Sequence, residues 1–109
     1  MTEMAPDQEI LFEIKTLLGF SVRATISHWM FITSTKHPIM RGRESDVQQT
    51  LRTPEQIRLS SRDPSVYLFY RKDGDKRWIC AVVKRLDGDG FLITAYRTSN
   101  IKEGEPIWP

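Results

Sequence analysis

At 109 residues, with 39% apolar and 28% charged side chains, the chain has the size and balance of one soluble domain with one core. No run approaches the ~18 consecutive apolar residues of a membrane span. The acidic start Met1-Thr2-Glu3-Met4-Ala5-Pro6-Asp7 lacks the basic-then-apolar pattern of a secretory leader, and the lone Cys80 cannot close an intrachain disulfide, so the composition points to the cytoplasm.

Alternation of Ile10, Phe12 and Ile14, then of Phe20, Val22, Ala24 and Ile26, predicts a hairpin over Ile10 to Ile26. From Ser27 the period changes. Trp29, Ile32 and Lys36 fall on one helical face, with Ser27 as N-cap, although the same residues could prolong the strand. Pro38 ends that segment. A second helix is expected from Arg43 to Arg52, with Val47 and Leu51 one turn apart, stopped by Thr53-Pro54. Strands follow over Gln56 to Ser60, Val66 to Lys72, Trp78 to Leu86 and Phe91 to Thr98, separated by turn-rich stretches. Trp78 to Leu86 is the most apolar and reads as central. The tail is expected to be irregular, with Ile107-Trp108 docking on the core. Short connections imply an antiparallel meander with helices on one face and the other face free, an α+β fold.

Charge is uneven along this order. Twelve Lys and Arg face six Asp and Glu between Lys36 and Arg85, giving +6, while each flank carries −2. A basic middle suits a polyanion such as nucleic acid; interspersed charges on a solvated surface give the same count.

Several chemistries lack their residues. Two histidines and one cysteine, without a carboxylate cluster on a strand, make a zinc or iron site improbable. There is no phosphate-cradling glycine loop and no Gly-x-Ser-x-Gly turn. Cys80 reads as a small strand hydrophobe. His37-Pro38 lies at a break where an imidazole can project into a cleft. Its place near the start of the second helix would lower its pKa and suit a general base, against the plainer reading of a capping histidine. Thr94 and Tyr96 alternate away from Phe91, Ile93 and Ala95, so a hydroxyl and a phenol share one face; they bind a phosphate or a base, or simply decorate a wet sheet. Arg71 and Lys84 sit near strand ends, and only one of Tyr70 and Arg71 can join the face of Tyr96.

Lys36-His37-Pro38-Ile39-Met40, Thr50-Leu51-Arg52-Thr53-Pro54-Glu55-Gln56-Ile57, Val66-Tyr67-Leu68-Phe69-Tyr70 and Phe91-Leu92-Ile93-Thr94-Ala95-Tyr96, in that order and spacing, resemble the phage and toxin branch of the barnase, EndoU, colicin and RelE-like nuclease superfamily. The similarity runs from Trp29 to Lys102 and leaves the N-terminal hairpin outside. It implies an α+β domain with two short helices packed on a four-stranded antiparallel sheet, residues 1–26 forming an added β-hairpin and 103–109 a tail. It also implies a metal-independent endoribonuclease, without cofactor, that attacks through the RNA 2′-hydroxyl and leaves a 2′,3′-cyclic phosphate. The catalytic set carried over is His37 as base, Thr94 and Tyr96, with Arg43, Arg71 and Lys84 as cations. Lys36, Arg41, Tyr70, Arg97 and Lys102 would contact RNA. A cognate antitoxin or immunity protein is a further partner of this class. The competing expectation is a non-catalytic module that binds nucleic acid or protein with the same fold, because only one histidine is well placed.

Overall fold

Period-two alternation builds the first two strands. Phe12 and Ile14 of β1 (Ile10–Lys15) and Val22 and Ala24 of β2 (Ser21–Thr25) are buried, while Glu13, Lys15 and Arg23 point the other way. The two strands pair antiparallel. The computed structural model describes residues 9–109; the acidic stretch read above as no leader lies outside them.

The helical segment begins earlier than Ser27 suggested. α1 (Ile26–Phe31) is capped by Thr25, whose hydroxyl accepts from the His28 amide at 3.2 Å. Thr33 and Ser34 donate their hydroxyls back to the Trp29 and Met30 carbonyls, at 3.0 and 2.6 Å. Such bonds compete with the helical ladder, and the chain widens into a π-turn over Ile32–Lys36. Trp29 and Ile32 are buried but Lys36 is exposed, so the three do not share a packed face. Pro38 opens a single 3-10 turn, Pro38–Met40. α2 (Glu44–Arg52) then buries Val47, Thr50 and Leu51, with Glu44 and Asp46 in the first turn, where the helix dipole favours acids. No described helix is long and apolar enough to cross a membrane.

β3 (Gln56–Leu59), β4 (Val66–Lys72), β5 (Trp78–Leu86) and β6 (Asp89–Thr98) are consecutive antiparallel neighbours. They are not the whole sheet, and the expected α+β fold of two helices on four antiparallel strands is overturned. Among the described residues the sheet has seven strands, mixed, in the order β1-β2-β6-β5-β4-β3-β7, the last being Glu105–Trp108, and strand is the dominant structure at 45%.

Two tertiary pairings account for the difference. The hairpin joins the sheet through a short parallel pair, Val22 beside Gly90 and Arg23 beside Phe91. Gly90 permits this approach, since a Cβ there would lie 2.9 Å from the side chains of Phe20 and Val22. The tail, expected to be irregular, forms β7 (Glu105–Trp108), antiparallel on the outer edge of β3. Trp108 does pack against the core.

The core lies on one face of the sheet. Ile57, Phe69, Ile79, Ala81, Val83, Leu92 and Ala95 meet Val47 and Leu51 of α2 together with Trp29, Ile32 and Met40. The opposite face is not free. Segment 99–104 leaves β6 and crosses to reach β7, so that Ile101 packs on a second cluster of Leu68, Tyr70 and Cys80, with Trp78, Val82 and Tyr96 around it. β5, fourth of seven strands, is therefore covered on both sides.

Candidate functional site

Cross-strand register decides which side chains meet under the crossing segment. Tyr70 pairs with Cys80 and Cys80 with Tyr96, while Leu68 pairs with Val82 and Val82 with Thr94. These two rows stand on the face opposite the helices. Arg71 alternates away from Tyr70, so Tyr70 is the residue that joins Tyr96.

A bulge tunes the last strand. Val82 lies opposite Thr94 but Val83 opposite Leu92, which leaves Ile93 as the extra residue. Leu92 and Ala95 are thereby buried, and Phe91, opposite Lys84, falls on the face of Thr94. The expected grouping of Phe91 with Ala95 is corrected for that reason. The Ile93 carbonyl meets His28 Nε2 at 2.7 Å. β2 pairs with β6 only at Gly90 and Phe91, and the helical segment covers β6 beyond them, with the Pro38–Met40 turn packed against it.

This arrangement brings His37 over the edge of the sheet. Its ring stands 5.6 Å, centroid to centroid, from that of Tyr96 at an interplanar angle of 38°. The helix-dipole argument does not apply to it, because α2 begins only at Glu44 and a separate 3-10 turn intervenes.

The resulting groove encloses about 580 Å³. Its floor is Val66, Leu68 and Val82; Tyr70, Tyr96 and Thr94 form one side with His37; Ser60, Asn100, Lys102 and Glu103 close the other. Thr94 Oγ1 is buried without a hydrogen-bond partner among the described residues. Buried polar atoms are nearly always paired, so this hydroxyl retains capacity for a ligand.

On the same sheet face, Tyr70, Cys80 and Tyr96 stand side by side on adjacent strands. Burial, reinforced by the neighbouring thiol, pushes both phenols well above their ordinary pKa, and burial pushes the Cys80 thiol up to about 12. All three stay neutral at physiological pH, and Cys80 is no nucleophile. Tyr96 presents its ring to His37 and stands beside Cys80.

The expected cations are placed elsewhere. Arg43 donates to both oxygens of Asp73, at 2.9 and 2.7 Å, and to Asp46 at 2.9 Å. Asp73 also takes Arg97 Nε at 2.7 Å. Arg71 binds the Thr53 carbonyl and hydroxyl at 2.9 and 3.1 Å, and Lys84 pairs with Asp63 at 3.3 Å. None of these four lines the groove, and each is tied to a structural partner. Lys36 lies over the Phe31 ring, 5.7 Å from its centroid, and Arg41 is exposed. Of the residues expected from sequence, His37, Tyr70, Thr94, Tyr96 and Lys102 come together. Ser60, Asn100 and Glu103 were not foreseen, because only the pairing of β7 with β3 carries the segment of Asn100 and Glu103 across the sheet to the end of β3, where Ser60 lies.

Among the described residues no three of His, Cys, Asp and Glu cluster as a metal site would require. Neither protein-family models, curated proteins nor solved structures yield a match to this chain.

Proposed function

We propose that the chain is a ribonuclease that cuts RNA by internal attack of a 2′-hydroxyl, without a metal ion. The observation carrying this reading is the convergence of His37, Lys102 and Glu103 on one groove with Thr94 and the ring of Tyr96, which is tilted against that of His37. The seven-stranded sheet removes the fold as an argument, so the proposal rests on this groove.

The reaction needs a base, an acid and a cation. The base takes the 2′-hydroxyl proton, the oxygen attacks the adjacent phosphorus, the bond to the 5′-oxygen breaks, and the acid returns a proton to that leaving oxygen. Sequence alone cast His37 as base. A carboxylate on the same groove suggests the reverse assignment, with Glu103 taking the 2′-hydroxyl proton and His37 returning a proton to the leaving oxygen. Lys102 stabilises charge on the phosphorane oxygens, a contribution of about 3 kcal/mol for one well-placed donor. Thr94 Oγ1 takes a polar group of the substrate, and Tyr96 fixes the plane of the imidazole. Arg43, Arg71, Arg97 and Lys84 are structural in this scheme.

The test is incubation of labelled RNA with the purified protein in EDTA, beside His37→Ala. Cleavage to a 2′,3′-cyclic phosphate, lost in the variant, is the expected result. Salt-sensitive RNA binding with no cleavage would replace the enzyme with a binding module.

A further inference from the structure

The groove does not end at Glu103. A second depression of about 270 Å³ is formed by Ser60, Ser61, Arg62, Lys102, Glu103 and Gly104. It shares Ser60, Lys102 and Glu103 with the first, so the two adjoin along these residues and are taken together as a channel. From the His37 edge of β6 to Ser60 at the end of β3 the path crosses three interstrand steps, about 14 Å at the usual ~4.8 Å spacing. That is longer than one nucleotide requires.

The two ends of the path differ from its middle. His37 stands at one end. The middle floor of Val66, Leu68 and Val82 is apolar and suits a flat base. At the far end Arg62 is exposed, and Lys102 is exposed where the two depressions meet; neither is in an ion pair among the described residues. The cations tied up in pairs, Arg43, Arg97 and Lys84, lie outside the channel. The Ser60 hydroxyl accepts from the Arg62 amide at 3.2 Å, which holds the start of the turn against the channel. Glu103 is the one acid there, between the two ends.

Building on the reading of the groove as a ribonuclease site, we infer that the channel takes a run of single-stranded RNA at least two nucleotides long, laid across the strands, with Lys102 on the reacting phosphate and Arg62 on the phosphate beyond it. Arg62 is a binding residue in this arrangement and takes no part in the chemistry.

The test uses fluorescein-labelled 2′-O-methyl oligouridylates of one to four nucleotides, which cannot be cut, with anisotropy measured across a salt series. Affinity is expected to rise from one to three nucleotides. Arg62→Gln should weaken the trimer at least 5-fold, leave the mononucleotide unchanged and reduce the salt slope by about 0.7, the share of one phosphate contact on a single strand. Arg77→Gln, at an exposed position outside both depressions, is the control for losing any positive charge. If Arg62→Gln behaves as Arg77→Gln, or weakens mononucleotide and trimer equally, the second phosphate site is wrong. Cleavage of ordinary RNA by wild type with that result overturns the channel alone. Arg62-dependent trimer binding without cleavage overturns the ribonuclease reading and keeps the channel, and absence of binding to any length overturns both.

Discussion

His28 Nε2 lies 2.7 Å from the carbonyl oxygen of Ile93, the extra residue in the β6 bulge. A carbonyl can only accept, so this nitrogen carries the hydrogen. The bond fastens α1 to the strand that holds Thr94 and Tyr96, in addition to the packing of Trp29, Ile32 and Met40 in the core. His28→Ala is expected to cost about 1 kcal/mol, the net worth of one such bond. Cleavage should fall by more than that, because His37 loses its register against Tyr96. Urea unfolding beside RNA cleavage checks this; equal, small losses in both would mean that the segment holds itself in place.

Asp73 accepts from two guanidinium groups. The hydrogen bonds from Arg43, offset in part by burial and helped by Arg97, hold its carboxyl below the ordinary carboxylate range. A depressed folded-state pKa stabilises the protein above the unfolded value, ~3.9 for Asp, and that stabilisation is lost as pH falls through the folded value. Asp73→Asn should therefore cost about 1–2 kcal/mol at pH 7. The figure is at the low end for charged hydrogen bonds because Arg43 and Asp73 keep 25% and 22% of their side-chain surface in water. The gap between variant and wild type should close on acidification below the folded value, as followed by urea midpoints from pH 7 downwards.

Tyr96 contributes its ring to the groove and packs beside Tyr70 and Cys80. Tyr96→Phe keeps the ring, so cleavage should stay within about 3-fold of wild type while stability drops by about 1 kcal/mol. Tyr96→Ala should abolish cleavage. Near-complete loss in Tyr96→Phe would show that the phenol itself reaches the substrate.

Gly104 turns the crossing segment into β7 with φ +79°, and a Cβ there would lie 2.5 Å from the Leu59 carbonyl oxygen. Arg58 Nη1 donates to the Gly104 carbonyl at 3.2 Å from the same strand. Gly104→Ala combines a left-handed backbone with a backbone clash and should cost about 2 kcal/mol or more. Hydrogen exchange is expected to rise along Glu105–Trp108 first.

Much of this was legible from residue order. The alternation of Ile10 to Lys15 and Ser21 to Thr25, the spacing of Val47 and Leu51, and the dense apolar run Trp78 to Leu86 each mark an element the structure contains. Those signals are local, and what was missed is tertiary. Nothing in Val22 or Gly90 states that they will run side by side in parallel. Glu105-Pro106-Ile107-Trp108 carries a proline and no alternation, so it reads as tail until the edge of β3 is offered to it. In the site, the proline break brought out His37, and the alternation of the last strand brought out Thr94 and Tyr96. The cations misled, because whether Arg43, Arg71 or Lys84 faces a substrate or a structural partner depends on which group folding sets opposite it. Asp73 is thirty residues from Arg43, and no spacing rule joins them.

The crossing of the sheet by residues 99–104 ties two properties that ordinarily vary apart. The same ten or so residues that furnish Lys102 and Glu103 also cap the edge of β3, whose amides and carbonyls would otherwise invite another chain to add on. A version shortened after Thr98 should be both inert and prone to self-association. On the proposed reading, one stretch of backbone would secure both resistance to aggregation and the grip on a substrate, and selection on either would preserve the other.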